Sequence, residues 1–412
     1  MKKIILFLFL FLCGCSSLGK GIANAFLDKS NEEDTRACTI EGTSFEGINS
    51  YFSKGNVVKV LMVHGVGSHN SGYSARLQEN LMKSLGLDVV SRRSKKISLV
   101  SPEYSDKSIG TLLVTRYQNV EETKEMLFYE LTWSKITQEA KDILSYDSSN
   151  VYAYKRAKFN QAMKSFLNDT GPDPLVYLSD KKSLILDAFK QSECWMFGYD
   201  WDALPDDVNK VCKISTSEQL RNLENEEVVF ITHSLGSRIL VDAFSDIVLE
   251  IKSKEIAENK SMQASIEVLK NKKFTVFMLA NQLPILQIGN KAPDVVGQYD
   301  SYCVAGGNHY KDRVFANVNI VAFSDPNDIL SYDIPQRFVD AYMDSRMCPN
   351  VTNVDINISK EISAFGLGVV NPLTAHTEYD NDDRVIDIIS YGTQEDARHA
   401  ELEKRCEFIY LK

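Results

Sequence analysis

The sequence predicts an α/β protein built on a mostly parallel, doubly wound sheet, and three observations carry that prediction. Short, strongly apolar runs, 56–63 (NVVKVLMV) and 228–231 (VVFI), read as strands buried on both faces, as the strands of parallel sheets are. Strand-like runs alternate with helical segments, mostly without tight hairpins, which calls for crossover connections. The composition, 44% hydrophobic and 25% charged over 412 residues, is that of an ordinary globular chain with enough apolar residues for a large core. No internal repeat or low-complexity tract interrupts it.

The first fourteen residues read as an address rather than as fold. Met1-Lys2-Lys3 is a short basic start, and 4–12 is an apolar run too short to span a bilayer. It ends Leu12-Cys13-Gly14-Cys15-Ser16-Ser17, which resembles the lipobox of bacterial lipoproteins. The small Gly14 before Cys15 makes Cys15 the expected lipidated N-terminus after removal of 1–14. Several acyl chains on one cysteine anchor a protein firmly to a membrane. Ser16, rather than Asp, directly after that cysteine implies sorting to the outer membrane, facing the periplasm. Residues 15–50 are polar and without sustained period, and are expected to be a tether. Residues 51–412 are expected to be one catalytic domain with a helical insertion at 134–212.

Within that domain, 56–63 is an early central strand ending at His64-Gly65-Val66-Gly67, with a helix expected over 74–85. Runs 110–117 and 126–133 read as two strands turning at the polar stretch 118–125. Residues 136–144, 151–167 and 182–190 look helical and are candidates for a cap or lid; 194–201 (CWMFGYDW) reads as a further strand. After 228–231 come a helix, an amphipathic Lys/Glu-rich tail at 250–273, and strands at 274–280 and 313–323. A helix at 335–344, a strand at 354–358, a loop bearing His376 and a helix at 384–391 close the domain.

The stretch 226–238 (EEVVFITHSLGSR) places Ser234 on a sharp strand-to-helix turn, the geometry of a nucleophile elbow. A serine hydroxyl needs a base, and the base needs an acid to hold its tautomer. The chain order Ser…Asp/Glu…His then constrains the partners. The turn-rich loop Ser324-Asp325-Pro326-Asn327-Asp328 after a buried strand offers two acids; its Asn327-Asp328-Ile329-Leu330 run resembles the N-D-x-[VL] acid loop of several lipase families, which implies Asp328, with Asp325 in reserve. Of the six histidines, His64 and His69 belong to the early loop, His233 to the elbow, His309 precedes the acid, and His399 lies in a charged terminal segment. His376 alone has the right order and setting. One oxyanion donor is then the amide of Leu235, after the nucleophile; the run Val63-His64-Gly65-Val66-Gly67 resembles the H-G-x motif of lipases, which implies the Val66 amide as the other.

Together these motifs resemble α/β-hydrolases of the lipase/esterase type over roughly residues 56–392, with Thr232 standing where that family's elbow has its first glycine. The resemblance implies a helical cap on an α/β-hydrolase fold and a serine hydrolase acting on carboxylic esters, lipids or phospholipids among them, with no cofactor and no metal. Thioesters and amides use the same parts, and a catalytically silent fold serving an envelope assembly is the competing reading. The net charge of −10 disfavours nucleic acid as a partner. No C-x-x-C pair suggests a zinc site. The six cysteines beyond Cys13 and Cys15 permit three disulfides, with Cys194–Cys212 and Cys303–Cys348 the sequence-near pairings.

Overall fold

The computed structural model describes residues 36–410 apart from 55–56, 105–106, 149–155, 254–259, 365–366 and 397. The expected signal segment, Cys15 and the first part of the expected tether lie outside the described residues. The described chain is α/β. One mixed, mostly parallel sheet of twelve strands runs β14-β1-β11-β10-β9-β8-β2-β6-β5-β4-β7, with β3 paired to β5. The strands are β1 (Cys38–Gly42), β2 (Val57–Val63), β3 (Asp88–Val89), β4 (Lys95–Val100), β5 (Ser108–Gln118), β6 (Glu125–Thr132) and β7 (Val208–Asn209). They continue with β8 (Glu227–His233), β9 (Lys273–Leu279), β10 (Asn317–Ser324), β11 (Pro349–Ile356) and β14 (Cys406–Tyr410), while β12 (Ile362–Ala364) and β13 (Leu367–Val369) form a separate pair.

The centre of the sheet, from β11 through β10, β9, β8 and β2 to β6, is parallel throughout. Its flanks are not: the polar stretch after β5 folds into a hairpin that pairs β5 with β6 antiparallel, and β1 runs antiparallel to β11. The run 228–231 is apolar throughout because alternate residues serve two cores. Val228 and Phe230 join Leu61, Val63, Leu131 and the helices Lys182–Gly198 and Gly236–Ile251 on one face. Val229 and Ile231 join Val60, Met62, Phe128 and the helices Ala75–Leu85 and Asp383–Tyr391 on the other. Among the described residues no helix is long and apolar enough to cross a membrane.

Three expectations need correction. The expected tether 15–50 does not stay outside the fold: from Cys38 on it forms β1, buried between β11 and β14, and then a short helical turn at Ile48–Tyr51. Five residues reading CTIEG carry too little pattern to announce a strand whose partners lie more than 300 residues away. The expected insertion 134–212 is divided. Its last long helix, Lys182–Gly198, buries Ile185, Ala188, Phe189, Trp195 and Met196 in the main core, so only the part before it stands apart. The expected strand at 194–201 is instead the end of that helix; burial on nearly every side of its last two turns erased the helical period.

All six described cysteines pair, as Cys38–Cys406, Cys194–Cys212 and Cys303–Cys348. The first joins β1 to β14 across a separation of 368 residues. A cross-link closing so long a loop constrains the unfolded chain most, and its loss costs about 2–5 kcal/mol. The Cys38→Ala/Cys406→Ala double variant is therefore expected to lower the urea midpoint markedly. Hydrogen exchange should show β1 and β14 opening first, while β8–β10 stay protected.

Candidate active site

Because β2, β6, β8, β9 and β10 are parallel, the loops that follow them gather at one edge of the sheet. The chain leaves β2 toward β6 and later leaves β8 in the opposite direction, toward β9. The β2/β8 boundary is thus the point where strand order reverses, and crevices at such points are where open α/β sheets bind ligands. Ser234 sits there. Its backbone has φ 55°, a left-handed conformation that costs a residue with a Cβ about 1–2 kcal/mol. The corner is held from two sides: Ser234 N–H donates to the Leu279 carbonyl at the end of β9 (2.9 Å), and Ser237 Oγ donates to the Ser234 carbonyl (2.7 Å).

The two glycines beside the serine answer to close approach rather than to turning. A Cβ on Gly236 would lie 2.5 Å from the Val63 carbonyl oxygen, and one on Gly65 would lie 2.5 Å from Ser234 Cβ and 3.0 Å from its Oγ. The His-Gly loop and the elbow are therefore in van der Waals contact. Thr232, by contrast, is an ordinary strand residue flanked by Val63 and Met278, so a β-branched side chain suits it and no glycine is required. Its hydroxyl is buried without a hydrogen-bond partner.

The structure brings Asp328 and His376 together. His376 Nδ1–H donates to Asp328 Oδ2 at 2.7 Å, and Asp328 Oδ1 accepts the Leu330 amide at 2.9 Å. Burial raises the Asp328 carboxyl, but the His376 hydrogen bond and charge and the Leu330 amide outweigh it and hold the group below its ordinary value. Asp325 does something else: its oxygens accept Asn327 N–H, Asn327 Nδ2, Ile358 N–H and Ser359 N–H, so it builds the loop that presents Asp328. His376 lies on the short helix Pro372–Thr377, started by Asn371, whose Oδ1 accepts the Leu373 amide.

With Nδ1 protonated, His376 Nε2 carries the lone pair. That atom and Ser234 Oγ are both buried and both without a hydrogen-bond partner, and none joins them in this structure. The neighbouring His233 binds the histidine segment: its Nε2–H donates to the His376 carbonyl (2.8 Å), with ring centroids 5.1 Å apart. The sequence assigned His233 only to the elbow; its use as a brace on His376 had no sequence signal. Burial, reinforced by the nearby His376, lowers the His233 pKa to about 3, so it is neutral.

The other histidines are accounted for by their contacts. His64 is stacked on Trp133 (4.7 Å), accepts the Trp133 amide at Nε2 (3.1 Å) and donates from Nδ1 to the Gly65 carbonyl (2.7 Å). It is held neutral by burial and orients the His-Gly loop. His69 donates to the Val66 carbonyl (3.1 Å), His309 stacks on Tyr302, and His399 pairs with Asp387. Leu235 opens the elbow helix, where first-turn amides have no intrahelical acceptor. Val66 follows Gly65, which touches Ser234. Both expected donors thus lie beside the serine. Among the described residues no cluster of three or more His, Cys, Asp and Glu is arranged to hold a metal ion. A charged cavity of about 730 Å³ lies at the opposite edge of the sheet, lined by Lys54, Arg221, Glu227 and Lys273 among others.

The chain matches no family model, no curated protein and no solved structure. The site is therefore interpreted from its own geometry.

Two outcomes follow from that geometry. An unpartnered buried hydroxyl costs roughly 1–3 kcal/mol, so Thr232→Val, which keeps the shape, is expected to hold or raise the urea midpoint. His233 is neutral in the fold and titrates at about 6.5 when unfolded, so the unfolded chain binds the extra proton between about pH 6.5 and about pH 3. Stability should fall as pH drops through that window, and His233→Gln should flatten the decline in chemical-denaturation measurements.

Proposed function

We propose that the chain is a serine hydrolase of the α/β-hydrolase type that cleaves carboxylic esters through an acyl-enzyme. The observation that carries this reading is the strained Ser234 corner at the strand-order reversal, on the same edge as a 2.7 Å Asp328–His376 pair. Ser234 Oγ attacks the acyl carbonyl while His376 Nε2 takes its proton. The oxyanion is met by the Val66 and Leu235 amides, and His376 returns the proton to the leaving alcohol. Water activated by His376 then releases the acid. Asp328 holds the imidazole in the tautomer that leaves Nε2 free.

Lipids or phospholipids are the favoured substrates. The support is the expected lipid anchor on Cys15, which would place the protein at the outer membrane facing the periplasm, and the exposed apolar side chains of the helical segment 138–178. Ile143 (70% exposed), Leu175 (71%), Met163, Leu167 and Leu178 stand in solvent there. The competing reading, a catalytically silent fold in an envelope assembly, draws its support from Ser234 being fully buried.

A fluorophosphonate probe decides between them: wild-type protein should be labelled and Ser234→Ala should not. A well-folded wild type that resists labelling would falsify the hydrolase reading. On a p-nitrophenyl ester, Asp328→Asn is expected to lower kcat by on the order of 10⁴ with an unchanged melting temperature. Asp325→Asn should lower the melting temperature and spare most of the activity; the reverse pattern would move the acid to Asp325.

A further inference from the structure

The loop that carries Val66 is held by groups that are not its own. Gly67 N–H donates to Asp173 Oδ2 at 2.6 Å. Ser68 N–H and Oγ donate to the two oxygens of Asp169, at 3.1 and 2.5 Å, and His69 N–H donates to Ser134 Oγ at 3.2 Å. All three acceptors come from the helical segment 134–178. Lys141, from the same segment, bridges them: its Nζ lies 3.1 Å from Asp173 Oδ2, 3.6 Å from Asp169 Oδ1 and 3.3 Å from Ser68 Oγ. Asp173 is fully buried, and so, nearly, is Lys141.

Three successive amides thus donate to carboxylates and a hydroxyl of this segment, while the amide just before them, on Val66, is claimed by none of these acceptors. Burying a carboxylate and an ammonium is expensive, and an apolar contact would join the two segments at lower cost. What a charged clamp adds is direction. A carboxylate accepting a backbone N–H at 2.6 Å sets the orientation of that peptide plane and of the one before it.

We propose that Asp173, together with Lys141 and Asp169, forms a positioning clamp that fixes the Val66 amide for oxyanion binding. The helical segment 134–178 is then a working part of the active site and not only a cover over it. This rests on the serine-hydrolase reading above. A donor displaced by about 1 Å loses about 100-fold in rate, and loss of one oxyanion donor costs about 100- to 1000-fold, which sets the scale of the effect.

The test uses the full chain and p-nitrophenyl butyrate. At a temperature where each variant is folded, Asp173→Asn and Lys141→Met are expected to lower kcat about 10- to 100-fold, with KM changed less than about twofold; removing one member of a buried ion pair also lowers the melting temperature. The Lys141→Arg variant, which keeps the cation, should recover most of the rate. Asp169→Asn, at a half-exposed position, should give a smaller loss and serves where Asp173→Asn folds poorly. Unchanged kcat in the folded variants, or kcat falling only in step with the melting temperature, would overturn the clamp. A wild type that neither turns over the ester nor takes up a fluorophosphonate would overturn the hydrolase reading instead, so the two failures are distinguishable.

Discussion

The close approach of the carboxyl ends of β2 and β8 is the constraint on which the rest of the site depends. At Gly236 the elbow helix begins against the Val63 carbonyl, and at Gly65 the outgoing loop lies against Ser234. A methyl group at either position would meet backbone or the serine itself at 2.5 Å. With both strands pinned by the sheet and both cores, the residue at the corner has no relaxed conformation available. Ser234 takes the left-handed one. The strain is local, and the packing on both faces of the sheet sustains it.

Around that corner, carboxylates do most of the loop building. Glu130, buried at the end of β6, accepts the amides of Gly72 and Ser74 and the Ser74 hydroxyl, which fixes the start of the helix Ala75–Leu85. Asp325 gathers four donors from two segments, and Asp173 and Asp169 take the amides of Gly67 and Ser68. Each satisfies backbone groups that an irregular segment cannot satisfy by itself. On the proposed reading, Asp328 is the one carboxylate in this set with an oxygen turned to a histidine, and the others give it and Val66 their fixed places.

Much of this was legible in the chain. The runs 56–63 and 228–231 announced central strands because both faces of the sheet are covered, and T-H-S-L-G announced a corner because a strand was running directly into a helix. The separation of Asp328 from Asp325 could be argued from motif, yet only the contacts show Asp325 spent on four backbone and side-chain donors. The edge strands β1 and β14 were not legible. Their five-residue patterns are short, and each is a strand by virtue of a neighbour distant in sequence. The helix Lys182–Gly198 was misread at its end because a helix buried nearly all round loses the period that identifies it.

The sequence by itself determined the α/β class, the buried central strands and the order of Ser234, Asp328 and His376. These are local or ordinal properties, written in side-chain period, turn residues and chain order. The tertiary structure alone decided that β1 runs antiparallel to β11, that His233 braces His376, and that Asp173 and Lys141 of the helical segment hold the loop beside the serine. Gly67 and Asp173 are 106 positions apart and His233 and His376 143, and the energies of such contacts depend on burial and direction, which no stretch of sequence carries alone.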